Sequence, residues 1–152
     1  MKLRKQGHCV YRCEYHIVIV TKYRKKIFNN SSFIYFKEIV EQKLNDHMPE
    51  LEIIAMNHDS DHIHIQISIP PKIRVSDFVK VIKSITGRML KKRFEYMRKA
   101  YWGTDGIWSD GYFVSTIGID DAIIKKYIEK QYKEDVGQAK LALDLFSKKK
   151  VD

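Results

Sequence analysis

Between His62 and Ile69 the chain reads His, Ile, His, Ile, Gln, Ile, Ser, Ile. Alternation with period two predicts a strand with unlike faces, because successive side chains leave a strand on opposite sides. Ile63, Ile65, Ile67 and Ile69 share one face, and His62, His64, Gln66 and Ser68 share the other. The rest of the chain supplies partners for such a strand. Residues 10–20 alternate and then turn continuously apolar, as in a strand entering the middle of a sheet. Residues 51–56, LEIIAM, form a further strand, and NHDSD is the turn that joins it to HIHIQISI as a hairpin. YFVSTIG at 112–118 is a fourth strand.

Three other stretches carry helical spacing. Ser31 or Ser32 caps a helix to about residue 47, with Phe33, Phe36, Ile39, Val40 and Leu44 on its inner face and Pro49 beyond its end. Ser76 or Asp77 caps a long helix with Val79, Ile82, Ile85, Met89, Leu90 and Phe94 inward. Asp120 or Asp121 caps a last helix over about 120–135, with a continuation past Gly137 to LALDLF and a frayed tail over about 147–152. The order strand, helix, strand, strand, helix, strand predicts an α+β, ferredoxin-like (βαββαβ) fold. It is a four-stranded antiparallel sheet with helices on one face, plus a C-terminal helix. The length of 152 residues and the lack of a linker predict one domain over 1–152.

Composition narrows the function classes. No run approaches 18 apolar residues and no apolar segment follows the basic N-terminus, so neither a membrane span nor a secretory signal is expected. Two cysteines, Cys9 and Cys13, predict a reduced, cytoplasmic protein rather than a disulfide scaffold. With His8 and His16 they lie close in sequence, but strand packing is the expected role there, since zinc clusters carry a second tight ligand pair. A formal charge of +9 points to a polyanionic partner. Lys22, Arg24, Lys25 and Lys26 form a basic loop, and Lys83, Arg88 and Lys91 a basic helix face. Tyr23, Tyr101 and Trp102 are available to stack on unpaired bases or to pack locally.

The isoleucines of HIHIQISI belong on a helix-covered core, which leaves His62 and His64 on the open face, about 7 Å apart along the strand. They are either polar residues on a solvated face or two ligands of one cation. In the last helix Tyr127 and Gln131 stand at i, i+4 beside an apolar stripe of Ile124 and Ile128. If that helix crosses the open face, Gln131 adds an amide oxygen to the two imidazoles and Tyr127 stands one turn away. Gln66 is a bystander further along the strand, and Tyr132 points elsewhere around the helix. Lys126 and Lys130 flank the tyrosine, as phosphate contacts or as a solvated helix face.

YHIVIVTKYRKKIF, DHIHIQI, WSDGYFVSTIG and IIKKYIEKQ together resemble the single-tyrosine HUH transposases of the insertion-sequence-200/605 group, in order and spacing, over about residues 8–135. The resemblance implies a metal-dependent endonuclease and strand transferase for single-stranded DNA, with His62, His64 and Gln131 holding magnesium or manganese. Tyr127 is the implied nucleophile, giving a 5′-phosphotyrosine. It further implies hairpin-bearing element ends as substrate, a homodimer that exchanges tyrosine helices across a hinge at Gly118, and no nucleotide cofactor. Ser60 stands where members commonly carry proline. Two rivals share parts of this reading. A relative that processes chromosomal repeats would keep every catalytic residue. A non-catalytic single-stranded nucleic-acid-binding module would place aromatics where His62 and His64 stand.

Overall fold

The structure is a computed structural model describing residues 2–116, 118 and 120–151, with side chains described up to residue 145. A short hairpin, β1 (Arg4–Gln6) and β2 (Cys9–Tyr11), precedes the sheet strand β3 (Glu14–Val20). The stretch 10–20 is therefore two strands rather than one, broken at Arg12 and Cys13. Both cysteines are free, Cys9 exposed and Cys13 half-buried. An ion pair from Arg4 to Glu52 ties the hairpin to the sheet.

A 3₁₀ turn (Lys22–Arg24) leads to α1 (Asn30–His47). Asn29, not Ser31 or Ser32, caps α1: its side chain accepts from the Ser32 amide at 3.0 Å, and Ser32 Oγ accepts from the Asn29 amide at 2.9 Å. This reciprocal box satisfies two amides that a helix start leaves free. The hairpin β4 (Glu52–His58) and β5 (His62–Ser68) follows, with a bulge between Ile53 and Ala55. Then come α2 (Val75–Arg93), a short α3 (Glu95–Ala100), β6 (Phe113–Ser115) and α4 (Asp121–Val151). Arg74 occupies the N-cap of α2 without a side-chain cap, so neither Ser76 nor Asp77 serves there. Asp120 does cap α4, accepting from the Ile123 amide at 3.0 Å. The α4 backbone is helical through Gly137 to Val151. β6 is shorter than the expected strand, and Ile117 within that stretch lies outside the described residues.

The sheet order is β4-β5-β3-β6 with every neighbour antiparallel, so β3 and β5 are central as the ferredoxin-like pattern requires. Ile17 and Ile19 pair with Ile65 and Ile63 on one face and bury fully against Phe36 and Ile39 of α1 and Phe78 and Ile82 of α2. The opposite face presents Val20 beside His62, Val18 beside His64 and His16 beside Gln66. Across it lies α4, whose Ile128 packs on Val18 and Val20, with Ile124, Tyr127 and Phe113 partly buried around them. No helix among the described residues is long and apolar enough to cross a membrane.

Candidate active site

β5 delivers His62 and His64 to the α4-covered face because its isoleucines take the core face. His62 is oriented from behind. Its Nδ1 lies 2.8 Å from Asp61 Oδ1, and a carboxylate can only accept, so Nδ1 carries the proton and Nε2 keeps a free lone pair. Asp61 is itself buried and anchored: Arg24 Nε donates to its Oδ2 at 3.2 Å, and its carbonyl accepts from the Thr21 amide at 2.9 Å. Burial pushes the Asp61 carboxyl upward, but the hydrogen bonds from His62 and Arg24 outweigh it and leave the group below its usual value. His64 is held toward neutrality by burial first and by His16 and His62 second. Its Nε2 lies 3.1 Å from Nδ1 of His16, so the two rings share one nitrogen-to-nitrogen contact.

On α4 the i, i+4 series Tyr127, Gln131 and Asp135 faces the body of the protein. Gln131 and Asp135 are 4% and 1% exposed. The Tyr127 ring packs on Phe113 at 5.7 Å between centroids, and its hydroxyl donates to Gln131 Oε1 at 3.5 Å. Burial, then the negative charges of Glu134 and Asp135, push the Tyr127 phenol well above its ordinary value. Gly111, at φ +84, lets the chain pass close: a Cβ there would stand 3.6 Å from Gln131 Oε1 and 3.8 Å from the Tyr127 hydroxyl.

Two half-sites thus share one face of the sheet. The register sets Phe113 beside Val18 and Val18 beside His64, and Tyr127 packs on Phe113 and on the Val18, Val20 and Ile128 cluster, so it lies over β3 and β6 to one side of the histidines of β5. The bonds of Gln131 run to Tyr127 and Asp135, while those of the histidines run to Asp61 and His16. Among the described residues no three His, Cys, Asp or Glu side chains gather closely enough to hold a cation by themselves.

The chain matches the family model described as "Transposase IS200 like" over residues 9–131. It belongs to that family. The transposase of insertion sequence IS200 from Salmonella typhimurium is 34% identical over 129 residues, 85% of this chain and 83% of the relative. The ISDra2 transposase TnpA of Deinococcus radiodurans is 28% identical over 136 residues, 89% and 95% of the two chains. Among solved structures, a putative transposase from Deinococcus radiodurans superposes with a TM-score of 0.71 at 27% identity, over 84% of this chain and 97% of that one. A REP-associated tyrosine transposase bound to a REP hairpin shares the fold, with a TM-score of 0.52 at 13% identity over 89% and 74% of the chains.

The other expected residues of this transposase are placed as follows. Lys26, Arg88, Lys126 and Lys130 are exposed, and Lys22 and Lys91 half-exposed. Arg24 is spent on Asp61, and Lys25 donates to the Ala100 carbonyl with its ammonium 5.1 Å from the Tyr101 ring. Lys83 turns inward and donates to the carbonyls of Ser109 and Gly111 at 2.6 and 2.5 Å, a structural use of a residue expected on DNA. Tyr101 is fully buried with its hydroxyl on the Lys22 carbonyl at 2.8 Å, which removes it as a base platform, whereas Trp102 is 85% exposed. Gly118 is exposed, and its neighbours Ile117 and Ile119 lie outside the described residues. Sequence reasoning missed His16, Asp135 and Ser109. Asp135 had a signal, the continuation of the Tyr127–Gln131 spacing by one more turn.

Proposed function

We propose that the protein is a single-stranded DNA endonuclease and strand transferase acting at hairpin-bearing ends of an insertion sequence, with Tyr127 as nucleophile. The observation that carries this reading is the placement of a tyrosine–glutamine pair on a helix that lies against the same sheet face as His62 and His64. Those residues suit a divalent cation, magnesium or manganese: His62 offers Nε2 because Asp61 fixes its tautomer, burial keeps His64 neutral, and Gln131 offers an amide oxygen. Such an ion would offset charge on a non-bridging phosphate oxygen. The Tyr127 oxygen attacks phosphorus, the bond to the 3′ oxygen breaks, and that oxygen leaves as a 3′-hydroxyl with a proton. The phenol loses its own proton in the same step. The resulting 5′-phosphotyrosine conserves the bond energy, so a second 3′-hydroxyl rejoins the strand without a nucleotide cofactor.

In the docked helix the phenol is pushed toward its neutral form and bonds Gln131 rather than the histidines, so the proposed chemistry needs the helix to shift on its face or to serve a second subunit. We propose the second course, a homodimer in which one tyrosine helix serves the partner's histidines. The hairpin-bound fold relative and the +9 charge support DNA as the partner. The test is incubation with single-stranded oligonucleotides from the element ends plus magnesium or manganese, followed by a denaturing gel. A covalent protein–DNA adduct is expected, lost in Tyr127→Phe and kept in Tyr132→Phe. An adduct that survives Tyr127→Phe would sink the assignment.

A further inference from the structure

Asp135 is a buried carboxylate on the docked face of α4. An apolar residue would seat α4 without the desolvation that a buried charge incurs. Three donors surround it instead. Ser109 Oγ donates to Oδ2 at 2.5 Å and the Tyr23 amide donates to the same oxygen at 3.1 Å, while Gln131 Nε2 faces Oδ1 at 3.5 Å. Both external donors are themselves held. The Ser109 amide bonds the Val20 carbonyl at 2.9 Å, and Lys83 grips the carbonyls on either side of Asp110. Tyr23 sits at φ 60, a left-handed conformation that costs a non-glycine residue about 1–2 kcal/mol, and it aims its amide at the carboxylate.

We propose that Asp135 is a positioning residue that fixes which end of the Gln131 amide faces the reaction site. The two ends of a glutamine amide have nearly the same shape but opposite hydrogen-bonding character. A carboxylate accepts only, so Gln131 must turn its NH2 toward Asp135, and its oxygen is left toward Tyr127. Asp135 follows Gln131 by one turn of the same helix, so the pairing travels with α4 to whichever subunit the helix serves. The inference rests on the reading of Gln131 as an amide-oxygen ligand, and it adds the reason that oxygen faces Tyr127 rather than Asp135.

An exchange of hydrogen-bonding character tests it. In Asp135→Asn the side-chain oxygen takes the Ser109 and Tyr23 donors and the new NH2 faces residue 131. Gln131 then turns its oxygen inward and shows an NH2 group that cannot ligate. Adding Gln131→Glu restores an outward oxygen, since both oxygens of the new side chain accept. Manganese affinity, measured by titration calorimetry on the full chain, is expected to fall about 10- to 100-fold in Asp135→Asn, the usual range for such supporting groups. It should return to within a few-fold of the parent in the double variant, with melting temperature little changed. An unaltered affinity in Asp135→Asn, or a loss that Gln131→Glu leaves unrescued, overturns the inference. Gln131→Ala separates the two ideas: if it leaves manganese affinity unchanged, the ligand reading itself fails. Should Asp135→Asn not fold, nitrogen-15 spectra of the parent decide. The Gln131 side-chain NH2, assigned by its absence in Gln131→Ala, should exchange slowly with water, and rapid exchange overturns the proposal.

Discussion

Replacing Ile128 by alanine should loosen the tyrosine helix while leaving the sheet intact. Ile128 is 4% exposed and seats on Val18 and Val20, in a small cluster separate from the main core around Ile17, Ile19, Ile63 and Ile65. Truncating a buried isoleucine costs about 2–5 kcal/mol. The lower part of that range, about 2–3 kcal/mol, applies here because Ile124, Phe113 and Tyr127 around it are only partly buried and can settle into the gap. The loss falls on the docking equilibrium of α4, since the main core keeps every contact. At 1.4 kcal/mol per factor of ten, protection of α4 amides against hydrogen exchange should drop about 30- to 140-fold. Peptides covering 121–135 report this by mass spectrometry, with peptides from β3 and β5 as internal controls. Unchanged protection in 121–135 would show that Ile128 does not anchor the helix. An equal drop in all peptides would show that helix and sheet open as one unit, and either result refutes the reasoning.

Three other perturbations probe the site. His64→Ala should abolish cleavage while leaving hairpin affinity within about threefold in a gel-shift assay, because its proposed contribution is to ligation and not to backbone charge; affinity falling in parallel with cleavage would contradict this. Asp61→Asn removes a carboxyl whose folded value is depressed, so its stabilisation is full above the unfolded value of about 3.9 and fades as pH falls through the lower folded value. The gap in melting temperature between parent and variant should accordingly be constant above about pH 5 and narrow below pH 4. Gly111→Ala has room for its Cβ but must hold φ +84, so a loss of about 1–2 kcal/mol in urea unfolding is expected.

Much of this architecture was legible because it depends on period. The isoleucines of β5 and the apolar stripes of α1 and α2 repeat at the spacing of their elements, and the element order left one topology to expect. What was hidden depends on register and distance in sequence. His16 meets His64 only because β3 pairs with β5 in a register that sets Val18 against His64, across 48 residues. Ser109 reaches Asp135 through a loop whose path nothing local dictates. Lys83 reads as a surface cation on the helical wheel, yet its long stem carries the ammonium to the carbonyls of Ser109 and Gly111. The break between β2 and β3 was invisible because Arg12 and Cys13 continue the polar–apolar alternation straight across it.

The alternation of β5 also bears on how such an element decays over generations. Its isoleucines are buried in the core and its histidines are not, so on the proposed function a mutation at codon 62 or 64 would remove chemistry without removing the folded chain. Inactive copies produced this way would persist in the cell as competent occupants of the same DNA ends. A genome that accumulated them would acquire competitors of the remaining active enzyme, and silencing would spread from one damaged copy to its intact siblings.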